Sequence, residues 1–151
     1  IICPSTCMDI VEEWGAVGLK AGEKFEKREI NIEAVPAYNV RFLRKLFHPK
    51  RKHFLGYVFE SEGKRIYHAG DCGLMPEMKG LNEISLAFLP ISGWFTMNIK
   101  EAVKAVSFIN PAYVIPMHER GKSINTFKKL LNDVVPGTKV LLLKSGETIE
   151  I

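Results

Sequence analysis

Asp71 and His118 are the side chains of this sequence best suited to chemistry, because each closes an apolar run: Tyr67-His68-Ala69-Gly70-Asp71 and Ile115-Pro116-Met117-His118. A residue at the end of a buried strand is held by a packed frame yet reaches solvent. Asp offers a hard anionic oxygen and His a borderline nitrogen, a mixture suited to zinc, manganese or iron. Gly70 permits close backbone approach, so the following carboxylate can turn sharply into a crowded site. Two more strand ends carry candidate site groups, Asn39 after Ala37-Tyr38 and Ser92-Gly93-Trp94 after Leu89-Pro90-Ile91. From the residues alone other readings stay open. A Gly-Asp pair after a strand is commonly a turn whose carboxylate accepts backbone hydrogen bonds, and His118 could be a half-buried histidine. His48 and His53 lie in a basic loop and read as solvated, while His68 differs in strand parity from Asp71 and reads as a packing or supporting residue.

The elements that must place these groups follow from pattern. A strand over Ile1 to Pro4 is followed by a helix from the Ser5 cap to about Trp14, stopped by Gly15. Ile30, Ile32, Ala34 and Pro36 alternate with their neighbours as in a strand. The segments 54–60 and 64–68 make a hairpin around Glu62-Gly63. The apolar run Ile84 to Ile91 reads as a strand buried on both faces. Asn98 with Glu101 resembles a capping box, opening a helix whose apolar face is Ile99, Ala102, Val103, Val106 and Ile109 and whose end is Asn110-Pro111. A strand over Tyr113 to Met117, a helix from about Ser123 through Val134, and two closing strands, Val140 to Leu143 and Thr148 to Ile151, complete an α/β pattern.

With 151 residues, 46% of them hydrophobic and 25% charged, the chain reads as a single domain over 1–151 with a real core. No apolar run approaches the length of a membrane span, and no signal-peptide pattern appears, so no membrane association and a cytoplasmic location are expected. Cys3, Cys7 and Cys72 lack any disulfide-framework spacing and read as reduced thiols, the first two as packing residues. The opening Ile1-Ile2-Cys3-Pro4 reads as strand interior without an initiator Met, which leads us to expect an upstream segment.

The segments Ala34-Val35-Pro36-Ala37-Tyr38-Asn39, Arg65 through Asp71, Leu89-Pro90-Ile91-Ser92-Gly93 with Phe95-Thr96-Met97, and Val114-Ile115-Pro116-Met117-His118 resemble, in order, signatures of the metallo-β-lactamase-fold hydrolases, and most closely the UlaG-like metal-dependent hydrolases. The resemblance implies an αββα sandwich, here its C-terminal half, with a mixed sheet and flanking helices. It implies a centre of one or two divalent ions, most readily zinc, in which Asp71 is the catalytic, metal-bridging carboxylate and His118 a ligand. A third ligand in that family is a His where this chain has Asn39, which leaves His48 as the candidate. Cys72 stands where Thr is usual, and Glu119 where Tyr is common. The family's H-x-H-x-D-H motif would precede Ile1 and is not in these residues. The ligands present are too few to close two coordination spheres, so the isolated chain is expected to bind metal weakly and to be inactive. It is also expected to expose an apolar sheet face and to form oligomers or associate with the N-terminal half.

The formal charge of +4 is modest, but no acid lies between Glu33 and Glu60, whereas Arg41, Arg44, Lys45, Lys50, Arg51 and Lys52 all do. Such a stretch is ordinarily a solvated loop. If it overhangs the metal site it favours a small anionic substrate or a nucleic acid backbone. Phe42, Phe47 and Phe54 lie among those cations and could stack on bases or anchor the loop. The reading is a metal-dependent hydrolase acting through metal-activated hydroxide on an ester, lactone or phosphoester, with Asn39, Trp94 and Thr96 touching substrate. The alternatives are a nuclease of the same fold, acting on RNA or single-stranded DNA, and a metal-free binding or regulatory relic of the fold.

Overall fold

The computed structural model describes residues 1–41, 46–119, 124–144 and 146–151. Its frame is a seven-stranded sheet in the order β3 (Lys24–Lys27), β4 (Ile30–Pro36), β5 (Leu55–Ser61), β6 (Lys64–His68), β7 (Leu86–Pro90), β8 (Tyr113–Met117) and β9 (Lys139–Val140). The first four strands pair antiparallel, and β6 through β9 pair parallel. The mixed sheet expected from the sequence is therefore present. A hairpin joins β5 to β6 through Glu62 and Gly63, both at positive φ. Parallel neighbours need longer crossovers. Two of these are helices, α2 (Ile99–Ile109) between β7 and β8 and α3 (Ile124–Val134) between β8 and β9.

The direction of the strands decides where chemistry can sit. β4 and β6 are both antiparallel to β5 and so run the same way, and β7 and β8 run parallel to β6. The carboxyl ends of β4, β6, β7 and β8 therefore open onto one edge of the sheet, the edge at which α/β sheets gather ligand-binding loops.

One sheet face is sealed by the helices. Val58, Tyr67, Ala87 and Val114 form a register row across β5 to β8, and all four are buried under α2 and α3 with Ala102, Val106, Phe127 and Leu131. α2 begins in the capping box read from the sequence: Asn98 accepts from the Glu101 N–H at 2.9 Å, and the Glu101 carboxylate accepts from the Asn98 N–H at 2.9 Å. It ends at Asn110 in the left-handed conformation, a usual helix terminator. On the other face a small parallel pair, β1 (Ile2–Pro4) and β2 (Val17–Leu19), covers Ala34, Leu55 and Tyr57. Farther along that face Ile66, Phe88 and Ile115 are only half-buried, and Phe59 is 37% exposed.

Two sequence expectations need correction. The segment from Ser5 to Trp14 is not one helix but a 3-10 turn, the short helix α1 (Met8–Val11) and a second 3-10 turn, and none of them contains a buried residue. Without an apolar face to pack, so short a helix is not held together. The closing strands shrink to Lys139–Val140, and 148–151 is not a strand. Leu142, Leu143 and Ile149 are 43%, 40% and 41% exposed, so burial does not fix them as sheet. No helix among the described residues is long and apolar enough to cross a membrane.

Phe127 is fully buried beneath the sheet, so Phe127→Ala should lower unfolding stability by about 3–5 kcal/mol. Urea denaturation monitored by circular dichroism measures this, and a loss below about 1 kcal/mol would contradict the packing described.

Candidate metal centre

Asp71 leaves the end of β6 through a turn that the backbone over-determines. Gly70 has φ +62°, and a Cβ placed there would meet the Leu55 carbonyl oxygen at 3.3 Å. A side chain would be strained by conformation and crowded by backbone together. The Gly70 N–H donates to His68 Nδ1 at 3.2 Å, and the His68 ring stacks on Phe88 with centroids 5.7 Å apart. Burial holds the His68 pKa below its usual value; nearby His118 adds to this and Asp71 opposes it. A neutral ring is the form whose Nδ1 can accept. His68 therefore supports the turn, as its strand parity suggested.

His118 follows β8 with φ 54°. For a residue with a Cβ this left-handed conformation costs about 1–2 kcal/mol, and a side chain held there marks a position set by its surroundings. Its Nε2 lies 2.9 Å from Asp71 Oδ1. The other Asp71 oxygen, Oδ2, lies 4.0 Å from His48 Nε2. The carboxylate thus sits between two imidazoles, one per oxygen, and its side chain is 48% exposed, against 47% for His118 and 20% for His48.

His48 is steered by backbone. The Phe95 carbonyl accepts from Asn39 Nδ2 at 2.6 Å and lies 3.2 Å from His48 Nδ1, and Asn39 Nδ2 is 3.2 Å from the same ring nitrogen. The Asn39 N–H donates to the His48 carbonyl at 2.8 Å. Metal-binding histidines commonly rest their second nitrogen on a backbone carbonyl. This contact had no sequence signal, because Phe95 contributes through its main chain. The same stitching continues through Gly73 N–H to the Tyr38 carbonyl at 3.0 Å and Met97 N–H to the Cys72 carbonyl at 2.9 Å.

The sequence placed Asn39, Trp94 and Thr96 against substrate, and the structure separates them. Asn39 is 1% exposed and Thr96 3% exposed. The Asn39 amide braces His48 and Phe95, and the Thr96 hydroxyl bonds to Ser92 Oγ at 2.9 Å. Both lie beneath the surface in the free protein. Trp94 stands 66% exposed beside the site. Cys72 is fully buried, and that burial pushes its thiol strongly up.

A clamp that the sequence did not reveal fastens the His48 loop. Tyr38 Oη donates to Glu77, 2.7 and 2.9 Å from its two carboxylate oxygens. Lys50 Nζ pairs with Glu77 at 3.3 Å and lies 4.8 Å from the Tyr38 ring centroid. Burial alone would raise the Glu77 carboxyl, but the Tyr38 hydroxyl, its own backbone N–H and Lys50 together hold it below its usual range.

As a test of fit, the donors are of the right kind. An aspartate is presented with both oxygens towards imidazole nitrogens, and one ring has its outer nitrogen on a carbonyl. They are also incomplete: among the described residues no three His, Cys, Asp or Glu side chains gather closely enough to hold an ion by themselves. Asp71 and His118 are in contact, and His48 stands one step outside.

Comparison with known proteins sets this geometry in context. The sequence profile of the family described as "Beta-lactamase superfamily domain" matches residues 9–118. A protein of Thermococcus onnurineus named "UPF0173 metal-dependent hydrolase" is 45% identical over 105 residues, 64% of this chain and 46% of the relative. The chain therefore spans about half the length of that relative. Among solved structures, Igni18, titled a novel metallo hydrolase from Ignicoccus hospitalis, superposes with a TM-score of 0.81 at 26% identity, over 98% of this chain and 66% of that one. The metallo-beta-lactamase fold protein YhfI from Bacillus subtilis matches with a TM-score of 0.67 over 93% of this chain and 61% of that one, at 10% identity, a likeness of fold alone.

Because Glu77 has a depressed pKa in the fold, its contribution to stability is present above its unfolded pKa and is lost as pH falls through the folded value. The wild-type protein should thus lose stability in the acid range below the ordinary carboxyl pKa, and Glu77→Gln should flatten that limb. The difference is less than about 1 kcal/mol, since the pair is solvent-screened. Thermal melts of both proteins across the acid range measure it; identical acid limbs would contradict the clamp.

Proposed function

The chain belongs to the beta-lactamase superfamily, and from that premise we propose that it carries part of the active site of a metal-dependent hydrolase acting on an ester, lactone or phosphoester. The observation behind this reading is the 2.9 Å contact between Asp71 Oδ1 and His118 Nε2, made by side chains from separate strands at the sheet edge where ligands gather. His118 is held there in a left-handed backbone conformation that costs stability.

In this proposal Asp71 and His118 hold a divalent metal, zinc being the ion best matched to a carboxylate and imidazole set, with manganese or iron as alternatives. Such an ion supplies a hydroxide at neutral pH and polarises the scissile bond. The chain's own residues perform the positioning. Gly70 and His68 fix the turn that presents the carboxylate, and the left-handed backbone of His118 aims its ring at it. His48, whose Nδ1 lies 3.2 Å from the Phe95 carbonyl, would offer Nε2 to the same place, and the Asn39 amide donates to that carbonyl. Two or three donors do not close a coordination sphere, so further donors would be needed beside these. Trp94 forms part of the wall that a substrate meets.

Of the cations that suggested a nucleic acid surface, Arg41 pairs with Glu101 at 2.8 Å and Lys50 with Glu77 at 3.3 Å, Arg51 and Lys52 are exposed, and Arg44 and Lys45 lie outside the described residues, as does Phe42.

Asp71→Ala and His118→Ala in the metal-loaded full-length protein should each lower bound metal and reduce turnover of ester or phosphodiester substrates at least about 100-fold. Metal analysis by mass spectrometry alongside steady-state assays provides the readout. Unchanged metal content and turnover in both variants would end the proposal.

A further inference from the structure

We propose that Cys3, Cys7 and Met8 form a binding site for a soft monovalent metal ion, Cu(I), built from residues that take no part in the Asp71 and His118 centre. Cys3 lies in β1 and pairs in register with Gly18 of β2. Cys7 closes the 3-10 turn Ser5–Cys7, and Met8 opens α1 directly after it. The chain thereby folds back over β1, and Cys3 Sγ lies 3.9 Å from Met8 Sδ. Gly18 makes room for this approach. A Cβ at that position would stand 2.6 Å from Met8 Cγ and 2.9 Å from Met8 Sδ, so any side chain there would displace the thioether.

A second observation converges on the same sulfurs. Tyr57 of β5 packs beneath the small sheet, and its hydroxyl is buried without a hydrogen-bond partner. Burial raises the Tyr57 phenol above its usual range, and the Cys3 and Cys7 thiols raise it further, which sets both sulfurs close to this hydroxyl. A buried donor of this kind is ordinarily satisfied. A neutral thiol is a weak acceptor, whereas a thiolate accepts strongly. Metal binding requires the thiolate, so an ion held by Cys3 and Cys7 gives the Tyr57 hydroxyl the acceptor it lacks.

The donor set selects the ion. Two thiols and a thioether are all soft ligands, the kind that favours Cu(I). Zinc in a structural site takes four nitrogen, oxygen or thiolate donors, and among the described residues no three His, Cys, Asp or Glu side chains gather to supply them. Spacing agrees: two sulfurs bound to one ion at about 2.3 Å each and spread at about 120° stand about 4.0 Å apart, close to the 3.9 Å between Cys3 Sγ and Met8 Sδ. A thioether cannot enter a disulfide, so the Met8 contact has no part in simple thiol oxidation. Both cysteines are free and half-buried, within reach of an ion from solvent. On binding, each thiol releases a proton and no electron is transferred.

The test titrates the reduced full-length protein with Cu(I) under anaerobic conditions against bicinchoninate as competing chelator, and reads the surroundings of the bound ion by X-ray absorption. The wild type should show three sulfur neighbours at about 2.3 Å. Cys3→Ser and Cys7→Ser should each weaken binding at least about 100-fold, and Met8→Leu about tenfold with the loss of one sulfur neighbour. Asp71→Ala should bind Cu(I) as tightly as the wild type. The neighbour count is read on the wild type, so a variant that fails to fold leaves the test intact. Equal uptake by the wild type and by the protein carrying both cysteine substitutions overturns the site, as do two sulfur neighbours in the wild type. Loss of Cu(I) binding in Asp71→Ala moves the ion to the other centre and overturns it too. So does a reduced protein that takes up no Cu(I) but in which hydrogen peroxide links Cys3 to Cys7, seen by peptide mass; that result assigns the pair to thiol oxidation.

Discussion

The shared direction of four strands is the constraint on which this structure depends. Because β4, β6, β7 and β8 run the same way, the residues that follow them emerge at one sheet edge, although they are separated by up to 79 positions in sequence between Asn39 and His118. No local signal brings Asp71 to His118. They meet because a parallel ladder, sealed on one face by α2 and α3, leaves their strands no other relative placement. The sealed row from Val58 to Val114 thus links the core to the site: it holds the register that puts Oδ1 and Nε2 at 2.9 Å.

Around that pair, the loops are held more by main-chain groups than by side-chain chemistry. The Phe95 carbonyl, the Asn39 amide and the N–H groups of Gly73 and Met97 sew the ends of β4, β6 and β7 together. Buried polar groups with such partners contribute rigidity that surface ion pairs do not. The clamp of Tyr38, Glu77 and Lys50 lies at the exposed end of the same assembly. It fastens the loop that carries His48, the donor standing farthest from contact. The backbone contacts near Asp71 and the clamp at His48 thus hold the strand-end loops at one edge from two sides.

Much of this was legible in the sequence where one local rule sufficed. The apolar run before Pro90 gave β7, the Asn98 and Glu101 spacing gave α2 with its cap, and Glu62-Gly63 gave the hairpin. The strand ends named as candidates, Asn39, Asp71, Ser92 to Trp94 and His118, do lie at one edge. What failed was whatever tertiary contact decides. A sequence that suits a helix from Ser5 to Trp14 breaks into turns because no residue there is buried, and the apolar Leu142, Leu143 and Ile149 remain in the open. That Asn39 and Thr96 are buried is set by tertiary packing, which leaves no mark in the sequence. The Phe95 carbonyl left no trace at all, since any residue type supplies one.

The most direct measurement is a crystal structure of the full-length protein soaked with zinc, with diffraction recorded on both sides of the zinc absorption edge. An anomalous peak is expected within about 2.0–2.2 Å of an Asp71 carboxylate oxygen and of a His118 ring nitrogen, with the direct contact between those two groups replaced by the ion. A peak elsewhere, or Asp71 and His118 still bonded to each other at saturating zinc, would contradict it.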